Sequence, residues 1–111
     1  MSHYHDPEDW AYAKTVGKNA PDSLKAFLAF DEAALRGEDN VLPAKYRELI
    51  AIAVALTTQC PYCIEAHSKA AAKAGATEQE VTEAIMIATA LRAGGGLTHG
   101  FQALKFFGTE D

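Results

Sequence analysis

The chain has 111 residues, of which 49% are hydrophobic and 23% charged, and its net charge is -5. This is an ordinary mixture for a globular protein, so we expect residues 1–111 to form a single domain with one core. The acidic balance argues against a basic surface of the kind that binds nucleic acid or an anionic membrane. The expected partners are therefore small molecules or other proteins.

No segment indicates a membrane span or an export signal. The longest apolar run, residues 49–56, is far short of the roughly 20 residues that cross a bilayer. The N-terminus lacks a cationic stretch followed by an apolar one. We therefore expect a cytoplasmic protein, in which thiols stay reduced and a CxxC pair is more often catalytic or metal-binding than a structural cross-link.

Helix signals begin near the N-terminus. Pro7 favours the opening of a short helix over residues 8–17. Asp22 or Ser23 is suited to cap a second helix that ends at Arg36, where a glycine follows. No repeat, linker or low-complexity tract interrupts this part of the chain.

The third predicted helix is the most apolar part of the chain. A loop over residues 37–40 precedes it, and Pro43 suits its first turn. Residues 49–56 are apolar on every side, so we expect this helix to be buried all round, in so small a chain at a subunit interface. The run also fits a buried strand, but its alanine content favours a helix. Aromatic residues are expected to pack in the core or at an interface: Trp10, Tyr12, Tyr46 and the phenylalanines.

The remaining signals predict three more helices. A fourth begins at Cys60 and ends at Gly75, a natural helix stop. A capping box at residues 77–80 starts a fifth, and we expect the three glycines 94–96 to break it. A last helical segment would span residues 97–107. The sequence therefore predicts an all-α domain of about six helices.

Three reactive side chains share one face of the fourth predicted helix. Cys60 and Cys63 are the only cysteines, and His67 follows at helical spacing. On an α-helix all three point within about 60° of one another. The unpaired N–H groups of a helix start favour thiolates, and the CxxC spacing allows a disulfide. Since His67 is placed to take the proton of Cys63, we predict Cys63 as the nucleophile and Cys60 as the resolving thiol.

Glu48 is the candidate for the third member of a proton relay. In one continuous helix Glu48 and Cys60 would lie about 18 Å apart. If the chain reverses near residues 57–59, Glu48 returns to the level of His67, and a relay from Glu48 through His67 to Cys63 becomes possible. From the residues alone, a solvated carboxylate in the first helical turn is the more ordinary interpretation of Glu48.

Other interpretations of this cluster remain open. The cysteines could be inert core residues. Zinc needs four ligands, and Cys60, Cys63 and His67 supply three, with Glu48 or His99 as the fourth. The second Cys or His pair of a structural zinc module is missing, so we expect neither a metal nor a cofactor. His99, just after the glycines, could instead line the site or sit in a turn.

Three stretches of the sequence together carry a resemblance to a known family. They are residues 46–51 (YRELIA), 60–67 (CPYCIEAH), and 74–77 (AGAT) with 80–84. This pattern resembles the carboxymuconolactone decarboxylase-like superfamily and, within it, the alkylhydroperoxidase AhpD-like branch. The resemblance covers about residues 42–95, and its combination of Glu, eleven residues, Cys-x-x-Cys, three residues and His is specific.

The resemblance implies both a fold and an activity. The fold is all-helical, and the subunits associate into homo-oligomers, commonly trimers or hexamers. The activity is a thiol-dependent peroxidase in which Cys63 attacks the peroxide and Cys60 resolves the sulfenic acid into a disulfide. Glu48 and His67 would form the proton relay. A dithiol reductant, such as a lipoylated or thioredoxin-like protein, would restore the thiols without a bound cofactor.

The chain departs from the AhpD pattern at one position. AhpD has a histidine just before its second cysteine, whereas this chain has Tyr62. A phenol is a poor base at neutral pH, although it can still hydrogen-bond. The decarboxylase branch lacks the cysteine pair, so the resemblance argues against decarboxylation. A non-redox enzyme of the lactone or decarboxylase type, with His67 and Glu48 as acid and base, is kept as the third alternative.

Overall fold

A computed structural model describes residues 5–109; the other residues of the expected single domain, 1–4 and 110–111, lie outside the described part. The described residues form one 3-10 helix and five α-helices, without a strand, which confirms the all-α prediction. The elements are the 3-10 helix Pro7–Tyr12, α1 (Ala13–Asn19), α2 (Pro21–Arg36), α3 (Ala44–Thr58), α4 (Pro61–Lys73) and α5 (Glu78–Phe107). None of these helices has the length and apolarity needed to cross a bilayer.

The helix predicted over residues 8–17 is a 3-10 helix followed by α1, which continues to Asn19. Asp6 starts it, because its carboxylate accepts a hydrogen bond from the Glu8 amide at 2.9 Å. The side chain of Asp9 in turn accepts one from the Asp6 amide at 3.2 Å. This reciprocal cap fixes the start of the first helix within residues 5–12, which we call the N-terminal segment.

α2 begins earlier than predicted. Its first residue is Pro21, so neither Asp22 nor Ser23 caps it. Proline suits this position because its φ is already helical and its missing N–H would have had no partner. The predicted stop at Gly37 is confirmed. A Cβ there would lie 2.7 Å from the carbonyl oxygen of Ala33, so a larger residue would force the chain apart.

α3 packs against both α4 and α5, and its remaining side is exposed in the single chain, so the predicted burial on every side still depends on a subunit interface. Ile52 and Ala55 are only 2% and 4% exposed, whereas Ile50 and Val54 are 49% and 54% exposed. The two neighbouring helices cover one side of α3. The other side remains an apolar surface.

A tight turn after α3 reverses the chain. Gln59 takes the left-handed conformation, with φ at 56°, and the Cys60 amide donates to the carbonyl oxygen of Ala55 at 3.1 Å. This bond satisfies one of the carbonyls left open at the helix end. The reversal predicted near residues 57–59 is therefore present, and α4 returns along α3.

The α4–α5 connection also follows the prediction. α4 ends at Lys73, and Gly75 takes a φ of 92°, which glycine adopts readily. The Glu80 amide donates to Thr77 Oγ1 at 3.1 Å, while the Thr77 amide donates to Glu80 Oε1 at 2.9 Å. The predicted capping box is thus confirmed.

The predicted break at glycines 94–96 is wrong. α5 runs without interruption through them, so the separate helix predicted over residues 97–107 is its C-terminal part. A Cβ added at any of the three glycines would meet nothing within 4 Å. Glycine lowers helix stability by about 1 kcal/mol per residue relative to alanine, but it leaves the backbone hydrogen bonds intact. The long flanking segments therefore carry the helix across.

The core of the single chain is small. Its buried hydrophobic residues are Ile52, Ala55, Ala71, Ala84 and Ala88. The chain exposes 9025 Å² and has a radius of gyration of 18.4 Å. A compact monomer of this mass would expose about 6,000 Å² with a radius near 13 Å. The aromatic residues do not pack in this core: Trp10, Tyr12 and Tyr46 are 64%, 69% and 48% exposed.

Candidate functional site

The two cysteines form a disulfide at the N-terminal end of α4. Cys60 is the N-cap residue and Cys63 lies in the first turn, with their Cα atoms 5.3 Å apart. The Cys63 amide donates to Cys60 Sγ at 3.2 Å. Pro61 occupies the first helical position, where its missing N–H costs nothing. The same end of the helix would stabilise a thiolate after reduction.

Glu48 and His67 form a hydrogen-bonded pair between α3 and α4. Nδ1 of His67 lies 2.9 Å and 3.1 Å from the two carboxylate oxygens of Glu48. The side chains of His67 and Glu48 are 18% and 15% exposed, so water screens the pair only weakly. Because Nδ1–H donates to the carboxylate, neutral His67 keeps the lone pair of Nε2 for a proton. The predicted return of Glu48 to His67 is therefore observed.

One cavity, which we call the His67 cavity, brings His67 and Cys63 onto a common wall. Its volume is about 360 Å³. Of the two cysteines, Cys63 alone contributes to this wall. The rest of the wall is mostly apolar: Ala34, Leu35, Leu42, Ile50, Ala51, Val54, Ala55 and Thr58, together with Arg47. A small molecule held here would meet the imidazole and Cys63 together.

Arg47 is a wall residue that the sequence reasoning did not select. Its Nη1 donates to the carbonyl oxygen of Leu35 at 2.6 Å, in the last turn of α2. A cation at this end of a helix is favourable because the carbonyls there carry partial negative charge. Arg47 thus joins α2 to the start of α3 and places a positive charge at the His67 cavity. Its position directly before Glu48 was the available signal.

A second cavity, which we call the Trp10 cavity, lies at the disulfide beside the N-terminal segment. Its volume is about 670 Å³. Both cysteines line it, whereas His67 does not. The remaining wall is mostly apolar and aromatic: Trp10, Tyr12, Ala13, Val16, Leu24, Tyr62 and Asp9. The disulfide therefore borders two cavities with different chemical character.

Tyr62, the predicted auxiliary residue, anchors the N-terminal segment on α4. Its hydroxyl donates to Asp9 Oδ2 at 2.7 Å. Its ring meets those of His5 and Trp10 edge to face, with centroids 4.3 Å and 6.3 Å away. These contacts join residues that are far apart in sequence, so neither periodicity nor spacing could have revealed them. Tyr62 lines the Trp10 cavity together with both cysteines.

A second anchor lies one turn further along α4. His5 Nε2 donates to Glu65 Oε1 at 3.2 Å, and Lys69 Nζ donates to Glu65 Oε2 at 2.9 Å. Hydrogen bonds from Lys69 and then His5 hold the pKa of the Glu65 carboxyl below its usual value. The N-terminal segment is thus attached to α4 through Glu65 as well as through Tyr62.

His99, the other auxiliary candidate, lies within α5 on an exposed face. It is not in a turn, because the helix continues through the glycines. Neither cavity at the disulfide includes it in its wall. Across residues 5–109, no three His, Cys, Asp or Glu side chains converge in a way that could hold a metal ion.

Comparisons with known proteins support one family. The carboxymuconolactone decarboxylase family model matches residues 21–106. An uncharacterized Haemophilus influenzae protein is 48% identical over 95 residues, covering 86% of this chain and 82% of its own length. A Paracoccus denitrificans protein, called uncharacterized protein 4 in cox locus, is 44% identical over 79 residues, covering 71% and 69%.

A solved structure shares the fold. The crystal structure of apo-lpg0406, a carboxymuconolactone decarboxylase family protein from Legionella pneumophila, is 32% identical with a TM-score of 0.67. The match covers 88% of this chain and 86% of that one. The chain therefore belongs to the carboxymuconolactone decarboxylase family, and its disulfide-forming CxxC pair fits the AhpD-like branch.

Proposed function

We propose that this protein is a thiol-dependent peroxidase that cycles Cys60 and Cys63 between dithiol and disulfide. One observation carries the proposal. Cys63 and His67 line the same cavity, and Glu48 binds Nδ1 of His67, which leaves Nε2 to act as the base. Such a base raises the thiolate fraction of a cysteine at neutral pH and so activates it as a nucleophile. The family membership and the disulfide agree with a redox role.

The oxidative step uses the His67 cavity. Nε2 of His67 takes the proton of the Cys63 thiol, and Glu48 stabilises the imidazolium that forms. The Cys63 thiolate attacks the terminal oxygen of a hydroperoxide, so that an S–O bond forms while the O–O bond breaks. His67 returns its proton to the leaving oxygen. The products are an alcohol and a sulfenic acid on Cys63.

The resolving step uses the other thiol. Cys60 attacks the sulfur of the sulfenic acid, water leaves, and the disulfide forms. The 5.3 Å separation of the Cα atoms lets this happen without large backbone movement. Regeneration needs two thiols from a reductant, such as a lipoylated or thioredoxin-like protein. We place the cycle in the cytoplasm, where such thiols are kept reduced.

The test is peroxide consumption by pre-reduced protein. We expect Cys63→Ser to abolish consumption of cumene hydroperoxide, and Cys60→Ser to stop after one oxidation with a sulfenic acid that dimedone traps. Ala66→Ser, at an exposed position of the same helix, is the matched control and should behave as the unaltered protein. Full peroxide consumption by Cys63→Ser would reject the proposal. Activity on a lactone or carboxylic acid that survives thiol blocking would instead favour the acid–base alternative.

A further inference from the structure

We propose that the two co-substrates of this cycle reach the disulfide through different cavities. The hydroperoxide enters the His67 cavity and meets Cys63, whereas the reducing thiol enters the Trp10 cavity and attacks Cys60. This inference rests on the proposed redox cycle and adds to it a binding site on the N-terminal segment. The site takes a thiol carried on a neutral, apolar arm.

The walls of the two cavities carry the argument. Cys63 lines both cavities, but Cys60 lines only the Trp10 cavity, and His67 lines only the His67 cavity. A thiolate attacks a disulfide sulfur from the side opposite the bond that breaks, so access decides which sulfur reacts. For Cys60, the cavity that offers this access is the Trp10 cavity.

The chemistry favours the same direction. When the reducing thiolate forms a bond to Cys60 Sγ, the bond between Cys60 and Cys63 breaks and Cys63 leaves as a thiolate. That thiolate is released beside the His67 cavity, where the imidazolium form of His67 can supply its proton. The second thiol of the reductant then attacks the mixed disulfide at the reductant's own sulfur. Cys60 is freed as a thiol, and the reductant leaves as a disulfide.

The lining of the Trp10 cavity indicates what it binds. Trp10, Tyr12, Val16 and Leu24 give it an apolar and aromatic wall, and its volume is about 670 Å³ against about 360 Å³ for the His67 cavity. The charged wall residue is Asp9, whose carboxylate is engaged by Tyr62 and would repel an anionic arm. Trp10 and Tyr12 are 64% and 69% exposed, so the arm enters from solvent.

The test separates the two half-reactions. For reduction, chemically oxidised protein is mixed with dihydrolipoamide or with dithiothreitol, and free thiols are counted over time. We expect Trp10→Ala and Tyr12→Ala each to slow reduction by dihydrolipoamide about tenfold, which corresponds to losing the contact of roughly two buried methylene groups. Reduction by the polar dithiothreitol should slow less. Oxidation of the pre-reduced variants by cumene hydroperoxide should keep its rate.

Two further variants complete the design. Leu42→Ser, in the wall of the His67 cavity, should slow oxidation by cumene hydroperoxide and leave reduction unchanged. Phe107→Ala removes an aromatic ring that is 89% exposed and lines neither cavity, so both rates should persist. Equal effects of Trp10→Ala and Tyr12→Ala on both half-reactions, or no effect on either, would overturn the inference. If the protein never consumed peroxide, the peroxidase proposal would be rejected. The reduction assay would still test whether the reducing thiol enters through the Trp10 cavity.

A trapping experiment identifies the attacked sulfur directly. Reduction by a monothiol, butanethiol, is quenched with N-ethylmaleimide after a short time, and the adducts are located by peptide mass spectrometry. We expect the mixed disulfide on Cys60 and the maleimide on Cys63. The reverse pattern would contradict attack from the Trp10 cavity.

Discussion

The α3–α4 pair and α5 distribute polarity in opposite ways. Between α3 and α4, an ionisable pair is largely buried, with the Glu48 and His67 side chains only 15% and 18% exposed. On α5, the buried residues are alanines, while Leu91, Leu97 and Leu104 are 67%, 67% and 73% exposed. The first region keeps polar groups inside, and the second keeps large apolar groups outside.

Buried ionisable groups and exposed large apolar groups are both unfavourable in a single folded chain. A buried ionisable pair loses hydration that its mutual attraction only partly replaces, so Glu48 and His67 are expected to add little net stability. Large exposed apolar surfaces normally mark contacts with other molecules. We therefore propose that the chemistry takes place between α3 and α4 and that α5 provides contacts between subunits.

The largest expected effect is at the buried pair. His67→Asn removes the base beside Cys63 but keeps a side chain that can hydrogen-bond to Glu48. General-base removal costs about 100-fold or more in rate, so oxidation of the reduced protein by peroxide should slow by that amount at neutral pH. The loss should shrink at alkaline pH, because the thiol then ionises without help. Stopped-flow oxidation rates across pH measure it, and a loss that is constant with pH would show a merely structural role.

The site was predictable from sequence because its signals are local. The register of Cys60, Cys63 and His67 follows from helical periodicity alone, and the CxxC pair is at a helix start as predicted. The approach of Glu48 required a chain reversal, which the left-handed conformation of Gln59 provides. Local patterns thus predicted that Glu48 and His67 lie together between α3 and α4, whereas the catalytic roles of these residues are proposals.

The rest of the molecule was harder to predict because its determinants are not local. The glycines 94–96 carry a low helix propensity, but continuity with long helical flanks outweighs it in α5. The contact of Tyr62 with Asp9 joins residues 53 positions apart, and no periodic pattern records such a pairing. Exposed aromatic residues such as Trp10 resemble core residues in a sequence, because composition alone does not show whether a ring is buried within its own chain.

The second prediction concerns assembly, which we propose is a homo-oligomer such as a trimer or hexamer. Leu97→Asp places a charge on the exposed apolar face of α5. If other copies cover this face, the charge loses hydration and the association constant should fall at least about tenfold. Light scattering after size exclusion measures the mass, which should move from a multiple of 11.9 kDa towards 11.9 kDa.

Lys105→Asp serves as a control for added negative charge on the same helix. An unaltered protein that is already monomeric at micromolar concentration would contradict the assignment of α5 to subunit contacts. Unchanged assembly of Leu97→Asp would instead place the contacts on another apolar face, such as the exposed side of α3.

The third prediction concerns the border between the two regions, where the N-terminal segment meets α4. Tyr62→Phe keeps the ring but removes the hydrogen bond to Asp9. A hydrogen bond to a charged group contributes about 1.5–3 kcal/mol when buried, and this partly buried one should contribute near the lower end of that range. The segment should therefore detach more often and be cut faster by protease.

Trp10 reports this detachment, because it is the only tryptophan and lies beside the Tyr62 ring. Because Trp10 is already 64% exposed, we expect only a small further red shift of its emission in Tyr62→Phe, with little change in global stability. Asp9→Asn is the matched variant on the other side of the bond. Unchanged protease sensitivity in both variants would show that the hydrogen bond does not hold the segment.

The smallest expected effect is at a half-buried ion pair, which is more accessible to solvent than the pair of Glu48 and His67. Lys45 Nζ lies 3.0 Å from Glu80 Oε2, joining α3 to α5, with side chains 29% and 32% exposed. A hydrogen bond from the Thr77 backbone, and then one from Lys45, lower the pKa of Glu80. Its carboxylate therefore stabilises the fold above the ordinary pKa of a glutamate, and this contribution is lost as pH falls through the lowered folded-state value.

Glu80→Gln keeps a side chain suited to the capping box but removes the charge. We expect a small decrease in Tm at neutral pH. The decrease should disappear in acid, where the Glu80 carboxyl of the unaltered protein is protonated and is neutral like the glutamine. High salt should also reduce the difference, because solvent reaches both side chains and salt screens their attraction. The contact between His67 and Glu48 should resist the same salt, since both groups are largely buried. If salt changed the Tm difference of Glu80→Gln and that of Glu48→Gln equally, the two ion pairs would be equally screened by solvent, contrary to this prediction.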